Sequence, residues 1–263
     1  MIHLLPIVHD TPEWEMARRS SIGSSDGVVI AALNPSYAGK ARKTVSEIIA
    51  EKLTGIKAPV SEPMARSAYW GHLHEPAIAE VHFSRHMEME GVEITALGKP
   101  RYLFYNTDFE GASCSPDYLW RDKFGLWHIL EIKTTAESQN TTLKQGCPEH
   151  WKFQLFHQMA VCGIPRGSIM ALCGGNKPYH WDFTLKELDT DAWKRVMNIQ
   201  YAPIYNHLLE NLPPEVLTVS KDTFDAHLYP MQLDRFYYEY GKNASQEHQV
   251  YGEAMESYVL MGG

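Results

Sequence analysis

The stretch SPDYLWRDKFGLWHILEIKTT, residues 115–135, limits what this chain can fold into more than any other. It sets Asp117 directly after Pro116, then places a second carboxylate and an ammonium, Glu131 and Lys133, at the end of the apolar run LWHIL. Unpaired charge is costly to bury, so such an arrangement in a sheet demands compensation. The spacing predicts strands over 112–120 and 127–134, joined by a turn at RDKFG. Strand side chains alternate, which sends Glu131 and Lys133 to one face and Ile132 to the other. If the two strands pair antiparallel, Asp117 reaches the same face as Glu131. Two carboxylates that close repel, and one takes up a proton unless a cation sits between them. A hard divalent cation such as Mg²⁺ accepts one or two carboxylates together with water and phosphate. A lysine beside it can orient a metal-bound water that the metal has already made more acidic. The three residues therefore outline a phosphodiester hydrolysis site. The plain alternative is a polar sheet face with Asp117 as a turn residue.

The surrounding pattern is that of an α/β chain. SIGSSDGVVIAAL reads as a loop feeding a helix with Ser24 or Ser25 as N-cap. In KTVSEIIAEKLTG, Thr44 and Glu47 have capping-box spacing, and Gly55 stands where a helix would stop. A long helix is expected over 64–86, and strands over 92–96 and 101–105. PEHWKFQLFHQMAVCG predicts a helix between Pro148 and Gly163. Strands over 167–173 and 179–184 and a helix over 190–212 follow. Residues 1–212 are thus expected to form one α/β domain. Residues 213–263 form an acidic, aromatic-rich helical appendage that includes the cluster at 236–240.

Composition narrows the function classes. The net charge of −8 argues against a protein that coats nucleic acid by bulk electrostatics, which requires clustered Lys and Arg. The excess is concentrated at one end: residues 203–263 hold nine acidic and three basic side chains, a balance of −6, which leaves −2 for residues 1–202. An enzyme touching DNA only in a local groove remains compatible with that balance. Cys114, Cys147, Cys162 and Cys173 lack the short spacings of zinc or cluster sites and are expected to be reduced, mostly buried thiols. His72, His74, His82 and His86 carry no HExxH pattern, and a zinc site is not expected from them. No apolar run approaches the roughly 20 residues that span a bilayer, and the start has no signal-peptide pattern, so a cytoplasmic protein without a membrane partner is the expectation.

Four separated motifs give the triad a context. WEMARRSSIGSSD, YWGHLHEPAIAEVHF, SCSPDYL with LEIKTT, and HWKFQLFHQMAVCG occur in that order over residues 14 to 165. Together they resemble the lambda exonuclease family, the YqaJ-type viral recombinases of the PD-(D/E)xK nuclease superfamily. The resemblance implies a restriction-endonuclease-like core, a central mixed β-sheet flanked by helices. It implies a Mg²⁺-dependent exonuclease, with Mn²⁺ able to substitute, that degrades one strand of linear duplex DNA 5′ to 3′ for recombination. Asp117 and Glu131 would bind metal with Glu75 assisting, Lys133 would activate water, and Gln154 would orient catalytic groups. Arg18, Ser25 and Ser115 match positions that hold a phosphate of the DNA end, with Arg19 a competing choice for Arg18. A homotrimeric ring, a single-strand annealing protein as partner and a phage or prophage origin in a bacterial host are likewise implied. The chain departs from the family where many members carry two Gln separated by one residue: here Gln154 is followed by Leu155, Phe156 and only then, two residues on, by Gln158. The remaining alternatives are an endonuclease or RecB-like repair nuclease, and a non-catalytic DNA-end or protein-binding module.

Overall fold

The run WHILEIKTT opens on four residues that are buried in succession, the pattern of a strand covered on both faces. In the computed structural model it is the central strand of the main sheet. Residues 2–5, 11–31, 43–89, 94–98, 103–106, 108–186, 196–214, 216 and 229–230 are described. Residues 1–229 form one unit and residues 230–263 a second. The aromatic cluster at 236–240 and most of the acidic end lie outside the described residues.

The elements in chain order are β1 (Ile2–Leu5), α1 (Pro12–Arg19), α2 (Ser24–Ile30), α3 (Val45–Thr54), α4 (Glu62–Met89), β2 (Ile94–Gly98), β3 (Leu103–Asn106), β4 (Ser113–Cys114), β5 (Tyr118–Asp122), β6 (Trp127–Thr135), α5 (Asn140–Lys144), α6 (Glu149–Cys162), β7 (Arg166–Cys173), β8 (Lys177–Thr184) and α7 (Ala202–Asn211). A π-helical turn, Met197–Tyr201, leads into α7. The main sheet has the order β2-β5-β6-β7-β8. β6 pairs antiparallel with β5 and parallel with β7. A parallel step needs a crossover connection, and α5 and α6 provide it. A smaller sheet runs β4-β3-β1.

The helices cover the two faces of β6 separately. Ile78, Ala79 and Phe83 of α4 pack with Trp120, Leu130, Ile132 and Met170. On the opposite face α6 approaches the sheet so closely that a Cβ on Gly167 would lie 2.8 Å from Leu155 Cδ1. This is a mixed α/β fold, as expected from the alternation of helical and strand patterns. The four cysteines are free and buried. Among the described residues no helix is long and apolar enough to cross a membrane.

Two expectations are corrected. The strand foreseen over 112–120 is two strands in different sheets, β4 and β5, because Pro116 has no N–H to continue a ladder. The N-cap of α2 is Gly23, not Ser24 or Ser25; the Asp26 carboxylate accepts from Gly23 N at 3.1 Å and supplies the cap from inside the first turn. β1 and α5 were not foreseen: both are short, and neither carries a decisive period. Thr44 and Gly55 do bound α3, Gly55 at φ 72°, and Gly163 ends α6 at φ 66°.

A buried polar chain ties α2, α6, β4 and the π-turn together. His157 Nε2 lies 2.9 Å from the Ser113 carbonyl oxygen and Nδ1 lies 3.1 Å from Tyr201 Oη. The carbonyl can only accept, so Nε2 carries the proton and Nδ1 accepts from the tyrosine. Gly27 leaves the room: a Cβ there would stand 1.9 Å from Tyr201 Oη. Burial holds the His157 imidazole down at about 4. Since that lies below the ordinary histidine value of about 6.5, the unfolded chain takes up the proton first. The contribution is whole above about pH 6.5 and is lost as pH falls toward 4, amounting to roughly 3 kcal/mol at most. Urea unfolding from pH 7 to pH 4 should therefore show a steeper loss of stability in wild type than in His157→Gln; equal slopes would mean that His157 is charged in the folded protein.

Candidate active site

Glu131 is the most demanding residue of the fold, a carboxylate only 2% exposed on the central strand. Its Oε1 accepts from Lys133 Nζ, two residues along the same face of β6, and from Gln154 Nε2 at 2.7 Å. Its Oε2 accepts from Gln158 Nε2 at 2.7 Å. Lys133 Nζ also donates to Gln154 Oε1 at 2.9 Å, which closes a ring of three side chains. Removal of a charge from water is tolerated only with a countercharge and filled lone pairs, and here the lysine supplies the first and two amides the second. Gln154 and Gln158 are four residues apart and share one face of α6. The second amide, displaced from its usual spacing, thus reaches the same carboxylate from one turn further on.

Asp117 follows Pro116 at the point where the chain passes from β4 to β5. The β5–β6 register pairs Tyr118 with Leu130, so one step further brings Asp117 level with Glu131. Pairing stops there, and Asp117 Oδ2 instead accepts from Ile132 N at 2.8 Å. Burial and then the Glu131 charge push the Asp117 carboxyl well above the usual carboxylate range, with Glu75 adding to the rise. Lys133 and the Ile132 N–H oppose it but do not prevail. Glu75, 7% exposed, arrives from α4, and His72 Nδ1 lies 3.6 Å from Glu75 Oε2. A Cβ on Gly71 would lie 3.0 Å from Thr134 Oγ1, so this glycine lets α4 come down onto the end of β6.

The structure joins Glu131, Lys133 and Gln154 by hydrogen bonds and sets Asp117 level with Glu131, while Glu75 is buried on α4 and is tied to Asp117 through its charge. Among the described residues no three His, Cys, Asp or Glu side chains close around a point that could hold an ion. The carboxylates brought level with each other are Asp117 and Glu131. Carboxylates are the ligand type that Mg²⁺ accepts, so Asp117 and Glu131 are the residues that could hold it, and burial and then the Glu131 charge hold the Asp117 carboxyl high, with Lys133 offsetting them only in part.

The residues expected at a phosphate lie on α1, in the first turn of α2 and between β4 and β5. Arg18 Cζ stands 4.2 Å over the Trp14 ring. Arg19 is engaged elsewhere: its Nε donates to the Lys52 carbonyl at 2.7 Å and its guanidinium also reaches the Leu53 carbonyl, capping the end of α3. Ser25 is exposed in the first turn of α2, and Ser115 is half-buried between Cys114 and Pro116. The loop between α1 and α2 is sewn to β4. Ile22 N donates to Gly111 O at 2.7 Å, Ser113 N donates to Ile22 O at 3.0 Å, and the Ser21 and Ser113 hydroxyls meet at 2.7 Å. The element carrying Arg18 and Ser25 is thereby fixed to the strand that leads through Ser115 to Asp117. Sequence reasoning missed Lys52 and Asp26, joined at 2.9 Å beneath Arg18, because nothing in a helix pattern marks a lysine as buried.

Residues 13–165 match the YqaJ-like viral recombinase domain. The chain is 31% identical over 182 residues to the uncharacterized protein YqaJ of Bacillus subtilis (strain 168), an alignment covering 68% of this chain and 50% of that protein. It thus spans about half the length of that curated relative. Among solved structures it is similar to LHK-Exo in complex with dAMP, with a TM-score of 0.51 and 19% identity, covering 82% of this chain and 100% of that one. It is also similar to the alkaline exonuclease LHK-Exo from Laribacter hongkongensis, with a TM-score of 0.49 and 17% identity, covering 76% and 95%.

The wrapping of Glu131 has a measurable consequence. Gln158→Leu removes the donor to Oε2 and leaves a buried carboxylate oxygen without it, at a cost of about 1–3 kcal/mol. Urea denaturation at neutral pH should show this loss, and a variant as stable as wild type would mean that Oε2 finds another donor.

Proposed function

As the chain belongs to the YqaJ-like viral recombinase family, we propose that it is a metal-dependent nuclease that degrades linear duplex DNA from an end, 5′ to 3′ on one strand, to produce the single strands used in recombination. The observation that carries this reading is the Lys133–Glu131–Gln154 ring set level with Asp117 on the central strand. Mg²⁺, or Mn²⁺ in its place, would be held by Asp117 and Glu131 with Glu75 assisting, and would supply Lewis acidity and an acidified water. The protein's own groups do the positioning. Lys133 keeps its ammonium at the edge of the cluster, 19% exposed, where it can orient the attacking water and offset charge developing on the phosphate. Gln154 fixes both Lys133 and Glu131 and so sets the angle between base and ligand. Ile132 N–H holds Asp117 in the orientation it needs.

Arg18, Ser25 and Ser115 would grip the terminal phosphate of the DNA. Arg18 suits this role because a guanidinium offers a bidentate fork, whereas Arg19 already caps α3. DNA ends are the proposed substrate, a homotrimeric ring the proposed assembly, a single-strand annealing protein the proposed partner and the bacterial cytoplasm the proposed compartment.

Purified protein should digest linear duplex DNA in Mg²⁺, fail to do so in EDTA, and leave closed circles intact; cleavage of circles would replace the exonuclease reading with an endonuclease. Lys133→Ala should lower the rate by roughly 10²-fold or more, and normal digestion by that variant would remove the proposed mechanism. A duplex phosphorylated at one 5′ end only should be degraded from that end, and indifference to the phosphate would displace Arg18 and Ser25 from their assigned role.

A further inference from the structure

Arg18 has a carboxylate for a neighbour. A Cβ placed on Gly23 would stand 3.4 Å from Asp26 Oδ2 and 3.5 Å from Arg18 Nη2, so the two groups flank the same glycine. A carboxylate so close would compete with any phosphate for the guanidinium. Asp26 is not left to do so. Its Oδ2 takes the Lys52 ammonium at 2.9 Å and the Gly23 N–H at 3.1 Å, and Lys52 and Arg18 together hold the carboxyl below its ordinary value against the effect of burial. Lys52 is 8% exposed and comes from α3, outside the loop it serves. The same ammonium donates to the Arg18 carbonyl at 2.9 Å, while Arg19 donates to the Lys52 carbonyl. Each helix thus caps the other's C-terminal end with a cation.

We propose that Lys52 is a positioning residue for DNA-end recognition: by claiming Asp26 it keeps that carboxylate off Arg18 and leaves the guanidinium free for a phosphate. The inference rests on the assignment of Arg18 to the terminal phosphate. It gives the buried ammonium a task beyond the cap it places on the end of α1. Without Lys52 the Asp26 charge turns to Arg18 and repels an incoming phosphate. Removal of that charge then restores the preference for a phosphate over a hydroxyl end that loss of the lysine took away.

The test is equilibrium binding in EDTA, so that no strand is cut. The full chain is titrated onto one fluorescent duplex carrying either a 5′-phosphate or a 5′-hydroxyl, and the affinity ratio is read. Wild type should prefer the phosphate, and Arg18→Ala should abolish the preference. Lys52→Met should lower it about five- to tenfold, and Lys52→Met/Asp26→Asn should recover most of it. Should Lys52→Met fail to fold by circular dichroism, Asp26→Asn alone carries the test: with a negative charge removed beside Arg18 the phosphate preference rises, whereas a scaffold role for the pair makes it fall. A double variant no better than Lys52→Met, or an Asp26→Asn preference below wild type, overturns the role of Lys52 while leaving Arg18 in place. If wild type and Arg18→Ala do not differ, the phosphate assignment itself is wrong and this inference falls with it.

Discussion

A carboxylate buried on the central strand sets the terms for the rest of this structure. Glu131 lies where Ile129 on its own face is fully enclosed, and it survives there only because Lys133, Gln154 and Gln158 converge on it. A charge of this kind cannot tolerate slack, since loss of one donor restores much of the desolvation cost. It therefore dictates the rotation of α6 as well as its presence: the face bearing residues 154 and 158 must look at the sheet. The close approach at Gly167 serves the same end, bringing Leu155 and Met159 down onto β7 so that the amides reach β6. Packing and polar satisfaction agree on one register of helix against strand, the consistency that marks a specified native state.

The second constraint is the break at Ser115–Pro116–Asp117. A continuous strand from 112 to 120 would keep Asp117 within a ladder, with its neighbours paired and its carboxylate fixed by the pleat. Pro116 ends that possibility and moves the chain from the small sheet to the large one. Asp117 then rests on the Ile132 N–H, at the junction where β4 delivers the α1–α2 loop and β6 delivers Glu131. One imino acid thus brings two sheets and a helical corner to a common point. The raised Asp117 carboxyl is the electrostatic consequence of that convergence.

Much of this was legible in the residues because it follows from short-range periods. Alternation along β6 placed Glu131 opposite Ile132, the capping box marked Thr44, and the glycines at 55 and 163 marked helix ends. The split of 112–120 was not legible in the same way, since a β-rich run with one proline looks alike whether it bends within a sheet or leaves it. Gln158 carried a partial signal, an amide four residues after another, but a period alone does not say which face meets a buried charge. Lys52 carried none, for a lysine in an amphipathic helix reads as solvated until a carboxylate from another element is found beneath it. His157 is similar: its neutrality depends on the Ser113 carbonyl and Tyr201, both distant in sequence.

The distribution of charge completes the argument. Residues 1–202 carry a net charge near balance, −2, so attraction to a polyanion cannot come from a general basic surface. The cations that matter are instead individually assigned. Lys133 is spent on Glu131 and Gln154, Lys52 on Asp26 and a carbonyl, and Arg19 on the end of α3. Arg18 differs in resting its guanidinium on an aromatic face, an arrangement that stiffens the side chain and leaves the edge of the fork available for hydrogen bonding. A fold that commits Lys133, Lys52 and Arg19 to internal carboxylates and carbonyls leaves the Arg18 guanidinium as the cation of this group that rests on a ring instead. Under the proposed function, selectivity for a chain end over duplex interior would rest on where that charge is placed.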